Sequence, residues 1–383
     1  MIRQIPTFQE QFSQLVATPS ISSVEAGKDM SNRPVTDLLA GWLEDIGFTV
    51  EIMEVNRNPE KVNLIAIAGK GSGGLVLSGH TDTVPYDESG WKQDPFRLTD
   101  FENRYYGLGT SDMKCFFPIV MDVIKDIDLT GLKSPLYVLA TCDEESTMQG
   151  AKSLVAAHRS LGRYALIGEP TGLKPVSRHK GVLFESIRLI GTSGHSSDPS
   201  LGKNALEGMN AVINRLMLWR SDLQRHEVNP AFSIPVPTLN FGSISGGDSP
   251  NRICGECEMN IDLRFLPHMN MDEARAAIRR NVLEAVDGTG LIVEFDPMFS
   301  GLAGMETPGD SEIVRTAVRL AGEPAGTVAF GTEGPYLTAL GMDTIILGAG
   351  DIDVAHRANE YLAMDRIAPM KKIIADMIKH FCM

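Results

Sequence analysis

Apolar and polar residues along the first half of the chain predict helices and buried strands that follow one another in turn. Thr7 and Glu10 form a capping-box sequence, after which apolar residues recur at helical spacing. A second helix is predicted from Pro34 to Gly47, because proline suits the first turn of a helix and glycine the position after its last turn. Strand-like apolar runs occupy residues 48–55, 62–68, 75–78, 136–142 and 165–168, with a helical pattern over 116–127. Helices that alternate with buried strands predict an α/β domain with a mixed, largely parallel sheet.

The pattern changes near Lys180, where elements of another kind begin. Residues 182–190, 238–244, 256–264 and 291–296 are strand-like, and residues 204–218 and 272–286 are amphipathic helices. Their order, β-α-β-β-α-β, predicts a ferredoxin-like α+β unit. The first pattern then resumes, with helices over 311–320 and 367–380 and strands over 327–330 and 344–347. We therefore expect a larger domain of residues 1–179 and 297–383, with residues 180–296 inserted as a smaller one.

The composition is that of an ordinary globular protein, with 43% hydrophobic and 22% charged residues among 383. A formal charge of -14 argues against a nucleic-acid partner, whose phosphates are bound by lysine and arginine. The amino terminus lacks the apolar core of a signal peptide, and no segment offers ~18 unbroken apolar residues. Five scattered cysteines also suit a reducing compartment. We therefore expect a cytoplasmic protein with no membrane or nucleic-acid partner.

Five side chains that can bind metal follow apolar, strand-like runs, and they are His80, Asp112, Glu145, Glu169 and His356. Because ligands of open α/β sheets gather outside the carboxyl ends of the strands, we expect these side chains to meet. Two histidines and three carboxylates suit two zinc ions with one bridging carboxylate, whereas all-oxygen sites favour magnesium or calcium. Each residue alone also has an ordinary interpretation: a surface histidine, a helix cap at Asp112, solvated loop charge at Glu144 and Glu145, or a turn residue at Glu169 before Pro170.

Three further residues have predicted roles beside these ligands. Asp82 follows His80 by two positions and shares its face of an extended segment, where it can fix the tautomer of a metal-bound histidine. Glu144 is a second carboxylate next to Glu145, and it is our candidate for a general base. His195 lies in a turn rich in glycine and serine and is our candidate donor to an oxyanion, with an ordinary loop histidine as the alternative.

Several motifs resemble the co-catalytic zinc aminoacylase and carboxypeptidase family. They are His80-Thr81-Asp82-Thr83-Val84-Pro85, the glycine-rich segment 107–114, Asp143-Glu144-Glu145, Gly168-Glu169-Pro170 and Ala355-His356. The resemblance spans nearly the whole chain. It implies that the larger domain is a zinc-dependent catalytic domain and that the inserted one is a lid and dimerisation domain.

The resemblance also implies how two zinc ions per chain are bound. The two ligand sets share one carboxylate and are His80, Asp112 and Glu169, and Asp112, Glu145 and His356. Glu144 is the implied base, and cobalt is expected to substitute for zinc. Cys115 stands where a glycine is usual in the family, which leaves the ligand set intact.

A substrate with a free α-carboxylate requires donors in this acidic chain, and arginine suits that group through its planar, two-pronged set of N–H groups. The candidates are Asn251, Arg252, Arg264, Gly331 and Thr332. Ordinary solvated surface residues are the alternative for the two arginines. Glu333 is expected to bind a distal ammonium group of the substrate, with a solvated loop glutamate or a turn cap as the alternative.

Within the family, segments 194–199, 251–254 and 331–333 are most similar to members that release acetate and L-ornithine from N2-acetyl-L-ornithine in arginine biosynthesis. Desuccinylation of succinyl-diaminopimelate, or a broader deacylation of N-acyl amino acids, is the alternative activity. A non-catalytic metal- or amino-acid-binding protein is the alternative of a different class, but it has no need of Glu144. The apolar stripe of the helix over 204–218 can cover its own sheet and still leave an apolar edge, which predicts a homodimer through the inserted domain. The resemblance adds that His195 acts in its own chain or serves the partner's site.

Overall fold

A computed structural model describes residues 5–25, 27–57 and 59–383 of the chain. These residues form two compact units. Unit 1 contains the described residues up to Ser177 together with Thr307–Gly326 and Thr332–Met383. Unit 2 contains Arg178–Glu306 and Thr327–Gly331.

Helices and strands of the two units are numbered from the amino terminus. The helices are α1 (Phe8–Ala17), α2 (Arg33–Ile46), α3 (Phe116–Ile124), α4 (Gln149–Ala156), α5 (Ala205–His226), α6 (Met271–Ala285), α7 (Glu312–Ala321), α8 (Gly334–Ala339) and α9 (Ile367–Cys382). The strands are β1 (Thr49–Arg57), β2 (Glu60–Ala68), β3 (Leu75–His80), β4 (Thr99–Phe101), β5 (Arg104–Tyr106), β6 (Leu136–Thr141), β7 (Tyr164–Ile167), β8 (Val176–His179), β9 (Gly181–Ile190), β10 (Thr238–Gly246), β11 (Glu256–Phe265), β12 (Ile292–Pro297), β13 (Met305–Glu306), β14 (Gly326–Val328), β15 (Asp343–Ile346) and β16 (Tyr361–Ala363).

The main sheet of unit 1 has the order β1-β2-β6-β3-β7-β15-β8. Its central strands β6, β3, β7 and β15 are parallel to one another, whereas β1, β2 and β8 pair in the antiparallel sense. β3 is buried along its whole length, which explains its unbroken apolar run, because parallel strands are covered on both faces. The predicted α/β class with a mixed sheet is confirmed, and its parallel part is the centre of the sheet.

The predicted start of the first helix and the predicted start and end of the second are confirmed. Thr7 caps α1 with the reciprocal contacts of a capping box, in which its hydroxyl accepts from the Glu10 N–H and the Glu10 carboxylate accepts from the Thr7 N–H. Gly47 ends α2 at a φ of 112°, a left-handed conformation that favours glycine. The apolar faces of these helices bury Phe12 and Leu39 in the same core as the sheet.

Unit 2 has the element order β9-α5-β10-β11-α6-β12, as the ferredoxin-like prediction requires. Its strands form an antiparallel sheet in the order β10-β11-β9-β12, and both helices contribute to a second core. α5 continues to His226, well past the predicted end at residue 218. The extension is polar but anchored, because Arg220 and Gln224 donate to the carbonyl oxygens of Leu239 and Pro237.

The chain remains in unit 2 for longer than the predicted boundary at residue 296. After β12, Leu302 exchanges two main-chain hydrogen bonds with Val182, at 2.8 and 2.9 Å. β13 then pairs with β8 through Met305 opposite His179. These pairings place residues 297–306 in unit 2, and residues 327–331 belong there as well.

A small sheet that the sequence patterns do not predict lies in unit 1. It has the order β16-β5-β4, with Tyr361 of β16 opposite Tyr106 of β5. This pairing brings the loop after β5, which contains Asp112, next to the segment before β16, which contains His356. Among the described residues, no helix is long and apolar enough to cross a membrane.

Candidate metal centre

The carboxyl ends of neighbouring parallel strands bring the first candidate ligands together. His80 ends β3 and lies opposite Thr141, the last residue of β6. Glu144 and Glu145 follow β6 closely, and Glu169 follows β7, the strand on the other side of β3. The expected gathering of polar side chains at one edge of the parallel sheet is therefore present.

Asp112 lies between the two histidines. Its Oδ1 is 3.1 Å from Nε2 of His80, and its Oδ2 is 3.3 Å from Nε2 of His356. A carboxylate that offers one oxygen to each of two imidazoles has the geometry of a bridging ligand between two cations. Asp112 is 7% exposed, so its charge requires compensation from groups within the site.

The glutamates complete the cluster around these three residues. Glu145 lies 3.0 Å from His356 Nε2, and Glu169 lies 3.8 Å from His80 Nε2. Ligand atoms lie within 4.8 Å of one another in two groups, which are His80 with Glu144 and Glu169, and His80 with Asp112 and Glu145. Together these groups contain four of the five expected ligands, and His356 joins them through its contacts with Asp112 and Glu145. They also place Glu144, the expected base, beside His80 and Glu169.

The hydrogen bond made by Nδ1 of His80 identifies the tautomer of its imidazole ring. Nδ1 lies 3.0 Å from the main-chain oxygen of Asp82, which can only accept, so Nδ1 carries the proton. Nε2 then directs its lone pair at Asp112, as a metal-binding imidazole requires. The carboxylate of Asp82 is 3.7 Å from Nδ1 and instead accepts from the Glu145 N–H at 3.1 Å. Asp82 thus holds His80 through its carbonyl oxygen and uses its carboxylate to hold the Glu145 segment.

The electrostatics of the cluster indicate an excess of buried negative charge. Burial, reinforced by the charge of Glu169, raises the pKa of Glu144 well above its ordinary value. Burial and then the charge of Asp112 do the same to the pKa of Glu169. Hydrogen bonds to Asp112 and Glu145 raise the pKa of His356 to about 11. Without a metal cation, Glu144, Glu169 and His356 therefore hold their protons to higher pH than such groups do in water.

The residues present fit a pair of divalent cations. The buried oxygens Glu169 Oε1 and Asp82 Oδ1 have no hydrogen-bond partner among the described residues, and Glu169 Oε1 faces His80. Imidazole nitrogens mixed with carboxylate oxygens suit zinc and related transition metals better than calcium. Half of the His356 side chain is exposed, which leaves this side of the cluster open to solvent.

Comparison with known proteins identifies the family. The model of peptidase family M20/M25/M40 matches residues 76–380. The chain belongs to peptidase family M20/M25/M40. It is 44% identical to the acetylornithine deacetylase of Photorhabdus laumondii over 380 residues, which cover 99% of this chain and 98% of the relative. It is 45% identical to the acetylornithine deacetylase of Pectobacterium carotovorum over 386 residues, which cover all of both chains.

A solved structure has the same fold as this M20/M25/M40 family member. The M20 family metallo-carboxypeptidase Sso-CP2 of Sulfolobus solfataricus matches with a TM-score of 0.75 at 18% identity. The match covers 98% of this chain and 99% of that structure. The family resemblance predicted from the motifs is confirmed.

A buried lysine that sequence analysis missed holds the turn with the glutamate pair. Asp143, immediately before Glu144, has a φ of 58°. Its carboxylate is 2.7 Å from Nζ of Lys61, which lies equally close to Asp29 and is 1% exposed. Burial disfavours the charged lysine, but the two carboxylates outweigh it and raise the Lys61 pKa. The only sequence signal was a lysine at the start of the buried strand β2, which is an ambiguous position in any chain.

Glu333 lies in unit 1, next to the carboxyl end of β6. Its Oε2 accepts from the Thr141 hydroxyl at 2.8 Å, while its Oε1 has no hydrogen-bond partner within the described part of the chain. Burial raises the pKa of Glu333 to about 7. The neighbouring Thr332 is buried, and its hydroxyl accepts from the Gly334 N–H at 3.1 Å. Glu333 is thus a buried carboxylate, not the solvated loop residue of the alternative interpretation.

Three of the predicted substrate-binding and catalytic residues are neighbours in unit 2 of this family member. His195 forms a β-bridge with Arg252, and the main-chain oxygen of Asn251 accepts from the Ser196 N–H at 3.1 Å. Nδ1 of the exposed His195 imidazole lies 2.8 Å from the Ser197 hydroxyl and accepts from the Ser197 N–H at 3.2 Å, so the proton of the neutral ring is on Nε2. Sequence positions about 55 residues apart therefore meet in one turn region.

The other predicted substrate residues of unit 2 lie elsewhere in it. Arg264 donates to Asp262 at 2.9 Å and lines a cavity of about 320 Å³ together with Lys180 and Phe232. Gly331 packs close to Leu302, since a Cβ added to it would lie 2.1 Å from a Leu302 methyl carbon. A side chain at position 331 would therefore displace this methyl group of Leu302.

Proposed function

We propose that the chain is a metal-dependent hydrolase that removes the acetyl group of N2-acetyl-L-ornithine and gives L-ornithine and acetate for arginine synthesis. Full-length relatives at 41–45% identity are named acetylornithine deacetylase, which agrees with the activity expected from the sequence. The observation that carries the proposal is the Asp112 carboxylate between two histidines, with Glu144 beside the cluster.

The proposed cofactor is a pair of zinc ions, for which cobalt can substitute. Asp112 is the shared ligand, His80 and Glu169 complete one set, and Glu145 and His356 complete the other. When bound, such a pair polarises an amide carbonyl and lowers the pKa of a water toward neutrality. The side chains of the protein must then position the substrate and move the protons.

Glu144 is the proposed acid and base. It lies beside the ligands, and burial moves its pKa upward, toward the range in which a carboxyl group can both accept and donate a proton near neutral pH. Its carboxylate takes a proton from the attacking water. The resulting carboxylic acid delivers that proton to the nitrogen of the departing amine.

Unit 2 is proposed to supply the remaining donors to the substrate. The protonated Nε2 of the neutral His195 ring is a donor for the oxyanion that forms when the carbonyl is attacked. Asn251, Arg252 and Arg264, with Gly331 and Thr332, are the proposed partners of the substrate's α-carboxylate. We place unit 2 as lid and dimerisation domain in a cytoplasmic homodimer.

Glu333 is proposed to select ornithine through its distal ammonium group. This role is supported because the carboxylate is buried, has one oxygen without a hydrogen-bond partner among the residues described and lies close to the edge that carries His80. A buried carboxylate of this kind is costly unless a cation approaches it. The substrate's ammonium group is such a cation.

A hydrolysis panel tests the proposal. Metal-free protein is reconstituted with zinc or cobalt and supplied with N2-acetyl-L-ornithine, N-succinyl-diaminopimelate and a set of uncharged N-acetyl amino acids. We expect acetate and ornithine in equal amounts, with the highest kcat/KM for N2-acetyl-L-ornithine. A higher kcat/KM for the succinyl substrate assigns the chain to desuccinylation, and no hydrolysis of any substrate assigns it to metal or amino-acid binding.

A further inference from the structure

A buried glutamate outside the proposed ligand sets holds the loop that carries Asp112. Glu360 is 1% exposed. Its Oε1 accepts from the main-chain N–H groups of Ser111 and Asp112 at 2.6 and 2.9 Å, and its Oε2 accepts from that of Gly109 at 3.0 Å. Its own main-chain oxygen accepts from the Gly107 N–H at 3.1 Å. Four main-chain N–H groups of the loop from Gly107 to Asp112 therefore donate to Glu360.

The same loop is confined on its other side. Gly109 has a φ of 80°, and a Cβ at this position would lie 2.9 Å from a methyl carbon of Thr83. Thr83 belongs to the segment that follows His80. The loop that leads to Asp112 thus packs between the Glu360 carboxylate and the segment that follows His80.

Glu360 also belongs to the segment that carries His356, four residues earlier in the chain. A second contact joins the same two segments, because the Ser111 hydroxyl donates to the Asp351 oxygen at 3.0 Å and accepts from the Asp351 N–H at 2.7 Å. The loops that carry Asp112 and His356 are consequently connected at two points. Their separation determines the 3.3 Å distance from Asp112 Oδ2 to His356 Nε2.

We infer that Glu360 is a positioning residue that sets the affinity for the metal ion held by Asp112 and His356. It acts through the main chain of Asp112, since its carboxylate oxygens are engaged by N–H groups and do not face the cluster. The inference rests on the dinuclear site of the proposed function. It does not depend on which amide the enzyme hydrolyses.

The test is a metal titration of the metal-free Glu360→Gln variant. The amide retains one acceptor oxygen but directs an NH2 group at main-chain donors, so the loop must shift. Zinc binding is followed by calorimetry and cobalt binding by visible absorption. We expect the dissociation constant of the ion held by Asp112 and His356, identified as the one that a His356→Ala variant also binds more weakly, to rise by ~10–100-fold, with a smaller change for the other ion.

Glu185→Gln is the matched control. Glu185 is also 1% exposed, but its carboxylate pairs with Arg275 and Arg279 in unit 2, whereas the metal-binding loops belong to unit 1. We expect this variant to lose thermal stability and to keep both metal affinities. Equal metal affinities in Glu360→Gln and the wild type, with a similar loss of stability in the two variants, would reduce Glu360 to a structural role and overturn the inference.

Glu360→Asp is the second variant if Glu360→Gln does not fold. It keeps the carboxylate but shortens the side chain by one methylene group, so the carboxylate can no longer reach all three main-chain N–H groups of Gly109, Ser111 and Asp112. A raised dissociation constant for the same ion supports the inference, and wild-type affinity contradicts it. A wild-type protein that binds two ions but hydrolyses no N-acyl amino acid refutes the proposed function alone, whereas one that binds fewer than two ions refutes this inference.

Discussion

Asp112 Oδ1 lies 3.1 Å from Nε2 of His80, although the two residues are 32 positions apart and belong to different segments. The protonated Nδ1 of His80 is turned toward the Asp82 carbonyl, so the lone pair of Nε2 and the Asp112 carboxylate face each other. Two electron-pair donors at this distance require a proton or a metal ion between them. This relationship, repeated between Asp112 and His356, is the basis of the proposed dinuclear site.

Glu144→Gln is expected to bind two metal ions and to lose turnover. Glutamine can neither accept nor deliver the proton, and general acid-base catalysis typically contributes ~10²–10⁴-fold to the rate. Metal analysis and steady-state kinetics measure both properties. Glu145→Gln is the matched control, because it removes a proposed ligand and should also lower the metal content. Turnover close to wild type in Glu144→Gln would remove this residue from the acid-base role.

His195→Ala is expected to lower kcat by ~10²–10³-fold, the usual cost of losing one oxyanion donor. If His195 serves the partner's site, a heterodimer of His195→Ala with Glu144→Gln contains one site with both residues intact. Mixing the two inactive proteins after reversible dissociation should then restore part of the activity. Demonstrated heterodimers without activity would place His195 in its own chain's site.

Glu333→Gln is expected to reduce kcat/KM for N2-acetyl-L-ornithine far more than for N-acetylmethionine, whose side chain is similar in length but uncharged. A hydrogen bond to a charged group contributes ~1.5–3 kcal/mol, which corresponds to roughly tenfold to a hundredfold in specificity. The ratio of the two kcat/KM values measures the effect. Equal losses on both substrates would assign Glu333 to the architecture of the site.

Metal binding is expected to stabilise the protein more strongly as the pH rises. In the metal-free protein, the pKa values of Glu144, Glu169 and His80 are raised above their ordinary values of 4.5 and 6.5, and that of His356 is raised to about 11. Such groups contribute stability that is present below the ordinary pKa and is lost as the pH rises through the raised one. Metal ions replace the protons and remove this loss.

Melting temperatures with and without zinc, measured from weakly acidic to weakly alkaline pH, give the size of this effect. Calorimetry in two buffers of different ionisation enthalpy counts the protons released on metal binding. A gain in melting temperature that does not change with pH, together with no proton release, would contradict the assigned directions of these pKa values.

The local signals in the sequence predicted much of the fold and the gathering of the candidate ligands at one edge of the sheet. The capping box at Thr7, the glycine after α2 and the apolar run before His80 each act over a few residues, so they can be recognised without knowledge of the tertiary structure. The candidate ligands could be found in the same way, because each follows a short apolar run that marks the end of a strand. The family motifs then joined these separate positions into one site.

The supporting contacts could not be predicted in this way. Glu360 and Asp112 are 248 positions apart, and the contact involves a main-chain N–H that every residue except proline possesses. Lys61 meets Asp143 only because β2 and β6 are neighbours in the sheet. The strands β4, β5 and β16 contain three residues each, too few for a recognisable alternation, and their pairing depends on tertiary context.

The most direct test of the central claim is acetate release from N2-acetyl-L-ornithine as metal-free protein is titrated with zinc. We predict that two ions bind per chain and that acetate and ornithine appear in equal amounts once the sites fill, with no release before metal is added. Two bound ions per chain without acetate release, or full activity in the metal-free protein, would contradict the account.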